Sequence, residues 1–190
     1  MKKKLISRMS NGFGNQMFLY ATSYALAKKF NYDLLLDIYT GIKQDIKRNK
    51  EKQFKHYQPK YELEIFDLSA NTVNNSSFFY TKFEYIKRKI NIFFDKFKKN
   101  KKIILEMKNS QNKNFFYKIH NTSTPYKKIF IEGYYECEKY FIEYRSDILR
   151  EFSFNRKIKC NNTYFDEIIN SNSVSLAFRR NRFTERYDDD

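Results

Sequence analysis

The sequence is short of the residues that make the simplest functional signatures. Only two of its 190 residues are cysteine, Cys137 and Cys160, far apart and without Cys-x-x-Cys spacing. Neither a disulfide framework nor a zinc site is indicated. The two histidines, His56 and His120, stand alone, which leaves no metal-ligand cluster. Long apolar runs are missing as well. Met1-Lys2-Lys3-Lys4 is basic, but only Leu5-Ile6 follow before Ser7-Arg8, and a signal peptide or a membrane span needs a longer apolar stretch. The expected location is cytoplasmic, peripheral to the inner membrane if it touches a membrane at all. No internal repeat and no Pro- or Gly-rich linker divides the chain. Glycine is the most telling scarcity. There are four, and two of them, Gly12 and Gly14, stand one residue apart.

Those two glycines sit in Asn11-Gly12-Phe13-Gly14-Asn15-Gln16-Met17-Phe18, between Leu5-Ile6 and a segment with helical spacing. Strand, tight turn and helix is the expected order. Glycine tolerates positive φ and lacks a Cβ, so the turn is expected to bring backbone close to a ligand. Asn15 and Gln16 are expected to open the helix, with backbone N–H groups and side-chain amides both pointing outward. A plain strand-to-helix connection would give the same short glycine pattern.

What the chain has in quantity is positive charge and aromatic carbon. Thirty-seven Lys and Arg against 22 Asp and Glu give a formal net charge of +15, with 41% apolar and 19% aromatic residues. One domain with a proper core is the expectation at this length. The surplus charge fits nucleic acid, anionic lipid or a phosphorylated ligand. Much of it is equally readable as solvated lysine, since lysine is mostly an exposed residue. No nucleic-acid partner is expected, because the lysines are scattered and no DNA- or RNA-binding signature occurs.

Along the chain, Met17, Phe18, Ala21, Tyr24 and Ala25 recur at helical spacing up to Lys28-Lys29, which suit the negative end of a helix. Ala21 and Ala25 are small enough for close packing on a sheet. Leu34-Leu35-Leu36, ending at Asp37, reads as a buried strand and completes a βαβ unit whose ligand edge is the carboxyl end of its strands. Residues 40–60 read as a Lys-rich loop, 61–68 as a short segment with a few buried positions, and 71–77 as another polar loop. From Lys82 to Lys102, Phe83, Ile86, Ile90, Phe93 and Phe97 keep three-four spacing among lysines. This is a basic amphipathic helix. Its stripe would pack on the domain, as in an ordinary surface helix, or meet an anionic membrane. Residues 109–125 read as a polar loop around Phe115-Phe116-Tyr117. Ile129-Phe130-Ile131 reads as a strand ending in a turn at Gly133, then a helix through Ile148-Leu149. A short helix around 166–169 and a last strand at 173–178, followed by Arg179-Arg180, close the pattern.

The stretch Asn11-Gly12-Phe13-Gly14-Asn15-Gln16-Met17-Phe18-Leu19-Tyr20-Ala21 closely resembles the opening motif of the family-11 glycosyltransferases, the bacterial α-1,2-fucosyltransferases. That motif is a strand followed by Gly-Gly-Leu-Gly-Asn-Gln-Met-Phe-Gln-Tyr-Ala. Three further stretches resemble the family in the same order. Tyr61-Glu62-Leu63 through Phe66 looks like the segment before its variable loops. Gly133-Tyr134-Tyr135-Glu136-Cys137-Glu138-Lys139-Tyr140-Phe141 looks like its Gly-Tyr-Trp-Gln-Ser-Glu-Lys-Tyr-Phe. Val174-Ser175-Leu176 with Arg179-Arg180 falls where the family has H-x-R-R-x-D.

The resemblance implies a two-lobed GT-B-like fold and transfer of fucose from GDP-fucose to a glycan hydroxyl with inversion, without a metal. Such transfer would serve a surface-polysaccharide or lipopolysaccharide precursor. It implies a Rossmann-like acceptor-side lobe over residues 1–170, with the first strand of a donor lobe and a divergent tail over 171–190. It places Gly12, Phe13, Gly14 and Gln16 against donor or substrate, with Asn15 orienting the sugar or the acceptor hydroxyl. Arg179 and Arg180 would hold the donor diphosphate, Arg179 taking the catalytic part. A guanidinium can brace a leaving diphosphate by paired hydrogen bonds as it gains charge. No general base is assigned.

The chain also departs from the pattern. The family's His is Ala177 and its Asp falls on Arg182, while four of ten arginines and none of 27 lysines lie in residues 179–190. The expectation is a truncated or frameshifted product whose tail after about Ala177 is foreign to the fold. The alternative function is then an inactive remnant that at most binds a glycan. Asp188-Asp189-Asp190 is set aside as a metal site because it follows no strand.

Overall fold

Three apolar triplets too short for helices, at 34–36, 103–105 and 129–131, lie in strands of one parallel sheet. The fold is taken from a computed structural model that describes residues 2–51, 58–73, 82–95, 97, 103–105, 126–154, and 164, 167, 168, 170–174 and 176. The chain divides into two units, Met1–Asn155 and Arg156–Asp190, whereas the sequence places a boundary near residue 170. The first unit carries the sheet: β1 (Lys4–Arg8), β2 (Asp33–Asp37), β3 (Asn71–Val73), β4 (Ile103–Leu105) and β5 (Lys128–Glu132). Its order is β3-β2-β1-β5-β4 and every pairing is parallel. The expected mixed α/β architecture with a Rossmann-like lobe is compatible with this sheet.

Register explains the two faces. Leu5 lies beside Ile129, and Ser7 lies between Leu36 and Ile131. Leu5, Leu36, Ile129 and Ile131 enter the larger core with Leu19, Tyr20, Tyr24 and Leu26 of the first helix, α1 (Phe13–Phe30). On the opposite face, Ile6, Phe130 and Ile103 form a small cluster joined by Leu35 and Ile92. Alternation along each strand sends successive residues to opposite faces, so both faces can be covered.

α1 is buried nearly all round from Leu19 to Ala27, as a central helix should be. Ala21 and Ala25 are almost fully buried, in keeping with their expected close packing. Among its polar members, the Ser23 hydroxyl donates to the Leu19 carbonyl at 2.6 Å and pairs with the Ser7 hydroxyl at 2.8 Å, where Ser7 supplies the proton. Asn31, in the left-handed region, ends the helix, and Tyr32 N–H returns to the Ala27 carbonyl at 2.8 Å, a familiar helix stop.

Three expectations need correction. Residues 40–60 are not all loop, since α2 spans Thr40–Glu51. Asp37 nucleates it: its carboxylate accepts from Tyr39 N–H at 3.1 Å, Thr40 N–H at 2.9 Å and the Thr40 hydroxyl. Lys, Gln and Glu, which look like loop residues, have good helix propensity. Asn71–Val73 is an edge strand because β2 offers it a partner, and strand formation depends on such context. The basic helix, α3, runs Lys82–Asp95, and the sheet resumes with β4 beyond it.

After β5 come two single 3-10 turns, Glu138–Tyr140 and Ile142–Tyr144, then α4 (Arg145–Glu151). In the second unit, Ile168 N–H bonds the Tyr164 carbonyl at 3.0 Å, consistent with a helical turn there. Ser173, Val174 and Leu176, the described members of the expected last strand, are exposed and pair with no strand among the described residues. The loop at 109–125 lies outside the described residues.

Candidate functional site at the carboxyl edge of the sheet

β1 and β5 lie side by side at the centre; the chain builds outward from β1 through β2 to β3, then returns from the far edge through β4 to β5. In open parallel sheets, ligands bind in the crevice outside the carboxyl ends of the strands. The turn after β1 and the turn after β5 flank it.

The turn after β1 is shaped by an asparagine rather than by its glycines. Asn11 has φ 62°, a conformation asparagine tolerates, and its N–H bonds Asp45 of α2 at 2.6 Å. Gly12 caps α1 with an extended backbone, φ −82° and ψ 175°, and Gly14 lies within the helix. The glycine that permits close approach is Gly41. A Cβ there would stand 2.0 Å from the Met9 carbonyl oxygen, so α2 meets the turn through backbone.

At the start of α1 the four motif residues separate in role. No side chain caps the helix and no acid occupies its first turn, so the N–H groups of Phe13, Gly14 and Asn15 form the positive end of the helix dipole without an intrahelical acceptor. Gly14 is exposed, and a Cβ on it would meet nothing within 4 Å. Asn15 is half-buried, and among the described residues its side chain has no hydrogen-bond partner. Phe13 stacks on Phe66 with ring centroids 5.8 Å apart.

Gln16 corrects the expectation of an outward amide. It is fully buried. Its Nε2 donates to the carbonyls of Asn11 and Lys60, each at 2.8 Å, and its Oε1 accepts from Glu62 N–H at 3.0 Å. Both amide protons are used within the protein, so Gln16 staples the turn to the 60–62 segment.

Beneath the turn lies a charged cluster that sequence reasoning missed. Arg8, at the end of β1, donates to the Thr40 hydroxyl at 3.1 Å, the Thr40 carbonyl at 3.0 Å and the Gln44 amide oxygen at 2.6 Å. It lies 3.4 Å from Glu132 at the end of β5. Arg88 of α3 grips the same carboxylate with a fork, at 3.0 and 2.5 Å. Burial pushes the Arg8 guanidinium below its ordinary pKa, against the pull of Glu132 in the other direction. The available signal was the charged residue closing each apolar run: Arg8, Asp37 and Glu132. Arg88 gave none, standing among the basic residues of an amphipathic pattern.

The turn after β5 supports the expectation for Gly133, whose φ is 147°. Tyr135, at φ 53° and fully buried, sets its ring edge-on to Tyr140 at 5.3 Å. Tyr134 beside it is exposed. Thus the structure brings Gly12, Phe13, Gly14, Asn15 and Gln16 together on one turn at the sheet edge. Arg179 and Arg180, with Ala177 and Arg182, lie outside the described residues. Among the described residues no three His, Cys, Asp or Glu gather as a metal site. Comparison with protein-family models, with curated proteins and with solved structures finds no match.

Proposed function

We propose that the chain is the acceptor-side, Rossmann-like lobe of a GT-B-like glycosyltransferase that transfers fucose from GDP-fucose to a galactoside hydroxyl with inversion. The observation that carries this reading is the Asn11–Ala21 motif, found at the uncapped start of α1 with Gly14 open and the Asn15 amide unpartnered among the described residues. An unspent amide and free N–H groups there are suited to sugar hydroxyls or a partly negative oxygen. In this reading Asn15 orients the transferred sugar or the acceptor hydroxyl, and Gly14 keeps the approach clear. Arg179 and Arg180 hold the diphosphate as its charge grows.

The test is incubation of the chain with GDP-fucose and a galactoside, with transfer followed by product mass and GDP binding by calorimetry. Transfer is expected, with Asn15→Ala lowering kcat/KM by about tenfold to a hundredfold. Absence of both transfer and GDP binding would refute the proposal.

A further inference from the structure

The apolar stripe of α3 does not face the domain. Phe83, Ile86, Ile90, Phe93 and Phe97 are between 49% and 77% exposed. The helix is held from its other side, where Arg88 forks onto Glu132 and Ile92 packs with Ile6, Ile103 and Phe130. At 3.6 residues per turn, positions 88 and 92 lie together, roughly opposite the stripe. The same geometry places Lys87 and Lys89 on its two flanks, and both are exposed. The exposed rings also associate with one another. Phe93 meets Phe94 and Phe97 edge-on, with centroids 5.8 and 5.5 Å apart.

An ordinary surface helix buries its apolar stripe and sends its charges outward. α3 instead spends its polar Arg88 on the protein and presents phenylalanine. We propose that α3 is a docking element for an anionic lipid surface, lying in the interfacial plane with Phe83, Ile86, Ile90 and Phe93 in the acyl boundary and Lys87 and Lys89 at headgroup level. Charge complementarity selects this occupant. A second copy would oppose like-charged lysines across the same stripe, in a chain of net charge +15, whereas anionic headgroups gain from each basic residue near the surface. The domain side of the helix is already committed to Glu132, so docking requires no unpacking. The inference is independent of any sugar transfer.

Tryptophan is absent from the sequence, so Phe93→Trp places a single fluorophore in the stripe of the full chain. Vesicles of equimolar phosphatidylcholine and phosphatidylglycerol are expected to blue-shift its emission, and brominated acyl chains to quench it. Pure phosphatidylcholine should do neither. In co-sedimentation with the anionic vesicles, Phe83→Ser with Phe93→Ser is expected to weaken binding by about tenfold or more. Lys87→Glu with Lys89→Glu should weaken it and flatten its salt dependence. The proposal is overturned if the fluorophore gives no shift with anionic vesicles, or shifts equally with pure phosphatidylcholine. It is overturned too if the shift follows protein concentration without lipid, which would assign the stripe to a second copy.

Discussion

Two neighbouring amides show how far residue identity alone leads. Asn15 and Gln16 are adjacent in the motif and similar in chemistry, yet a rotation of one residue around α1 gives them opposite duties. Gln16 points into the protein and satisfies the Asn11 and Lys60 carbonyls and the Glu62 N–H, while Asn15 has no such partner among the described residues. Gln16→Ala therefore strands buried backbone groups, each costing about 1–3 kcal/mol, and should lower unfolding free energy by about 3 kcal/mol in urea. Asn15→Ala should stay within about 0.5 kcal/mol. Equal losses for the two variants would mean that their division of labour is wrong. The glycines teach the same lesson. Gly12 and Gly14 drew attention by spacing, but it is Gly41 whose missing Cβ lets α2 reach the Met9 carbonyl. That contact joins segments thirty-two residues apart, and no local pattern announces it.

Elements were legible where a period in the sequence matched a period of structure. β1, α1, β2 and β5 each carry an apolar pattern bounded by a turn signal, and each occurs where that pattern places it. α2 and β3 were hidden because their stability comes from outside themselves, from the Asp37 cap and the β2 edge. α3 was legible as a helix but not in its orientation. Periodicity says which residues share a face, and the partner decides which face docks. Here the partner is Glu132, shared by Arg8 and Arg88. Removing one arginine leaves the carboxylate with the other, but removing the carboxylate leaves two guanidiniums facing each other in a largely buried site. Glu132→Ala should accordingly cost about 3–5 kcal/mol, and Arg88→Ala clearly less. In Arg88→Ala, amide exchange should rise over 82–95 while β1 and β5 keep their protection. Faster exchange spread evenly over sheet and helix would contradict this account of how α3 is held.

At the scale of the whole molecule, the parallel order β3-β2-β1-β5-β4 follows from strands separated by long connections, which favour crossovers over hairpins. The shared direction of the strands sets the candidate site at the carboxyl edge, and that much follows from the opening βαβ unit. What the sequence did not reveal is how polar side chains tie the sheet to its cover. On the α1 side, Tyr20 is, with Tyr135, one of two fully buried tyrosines among the described residues, and its hydroxyl donates to Glu151 at the end of α4 at 2.5 Å. Ser69 N–H bonds the same carboxylate at 2.7 Å. Burial first, and the hydrogen bond to Glu151 next, push the Tyr20 hydroxyl well above its usual pKa of 10. Burial, with Glu64 nearby, pushes Tyr61 up to about 12. In the unfolded chain both phenols lose their protons near pH 10. Between that pH and the folded values, the folded state binds more protons than the unfolded one, so stability falls as pH rises. The contribution of these groups is intact below pH 10 and declines above it, through about 12 for Tyr61 and higher for Tyr20. Ionising Tyr20 would also replace its hydrogen bond with two facing negative charges. Tyr20→Phe removes that proton from the balance, so between pH 9 and pH 12 its urea midpoint should fall less steeply than that of the parent chain. The other fifteen tyrosines and the lysines, shared by both proteins, cancel in the comparison. Parallel pH profiles for the two would show that the Tyr20–Glu151 contact does not hold its proton in the folded state.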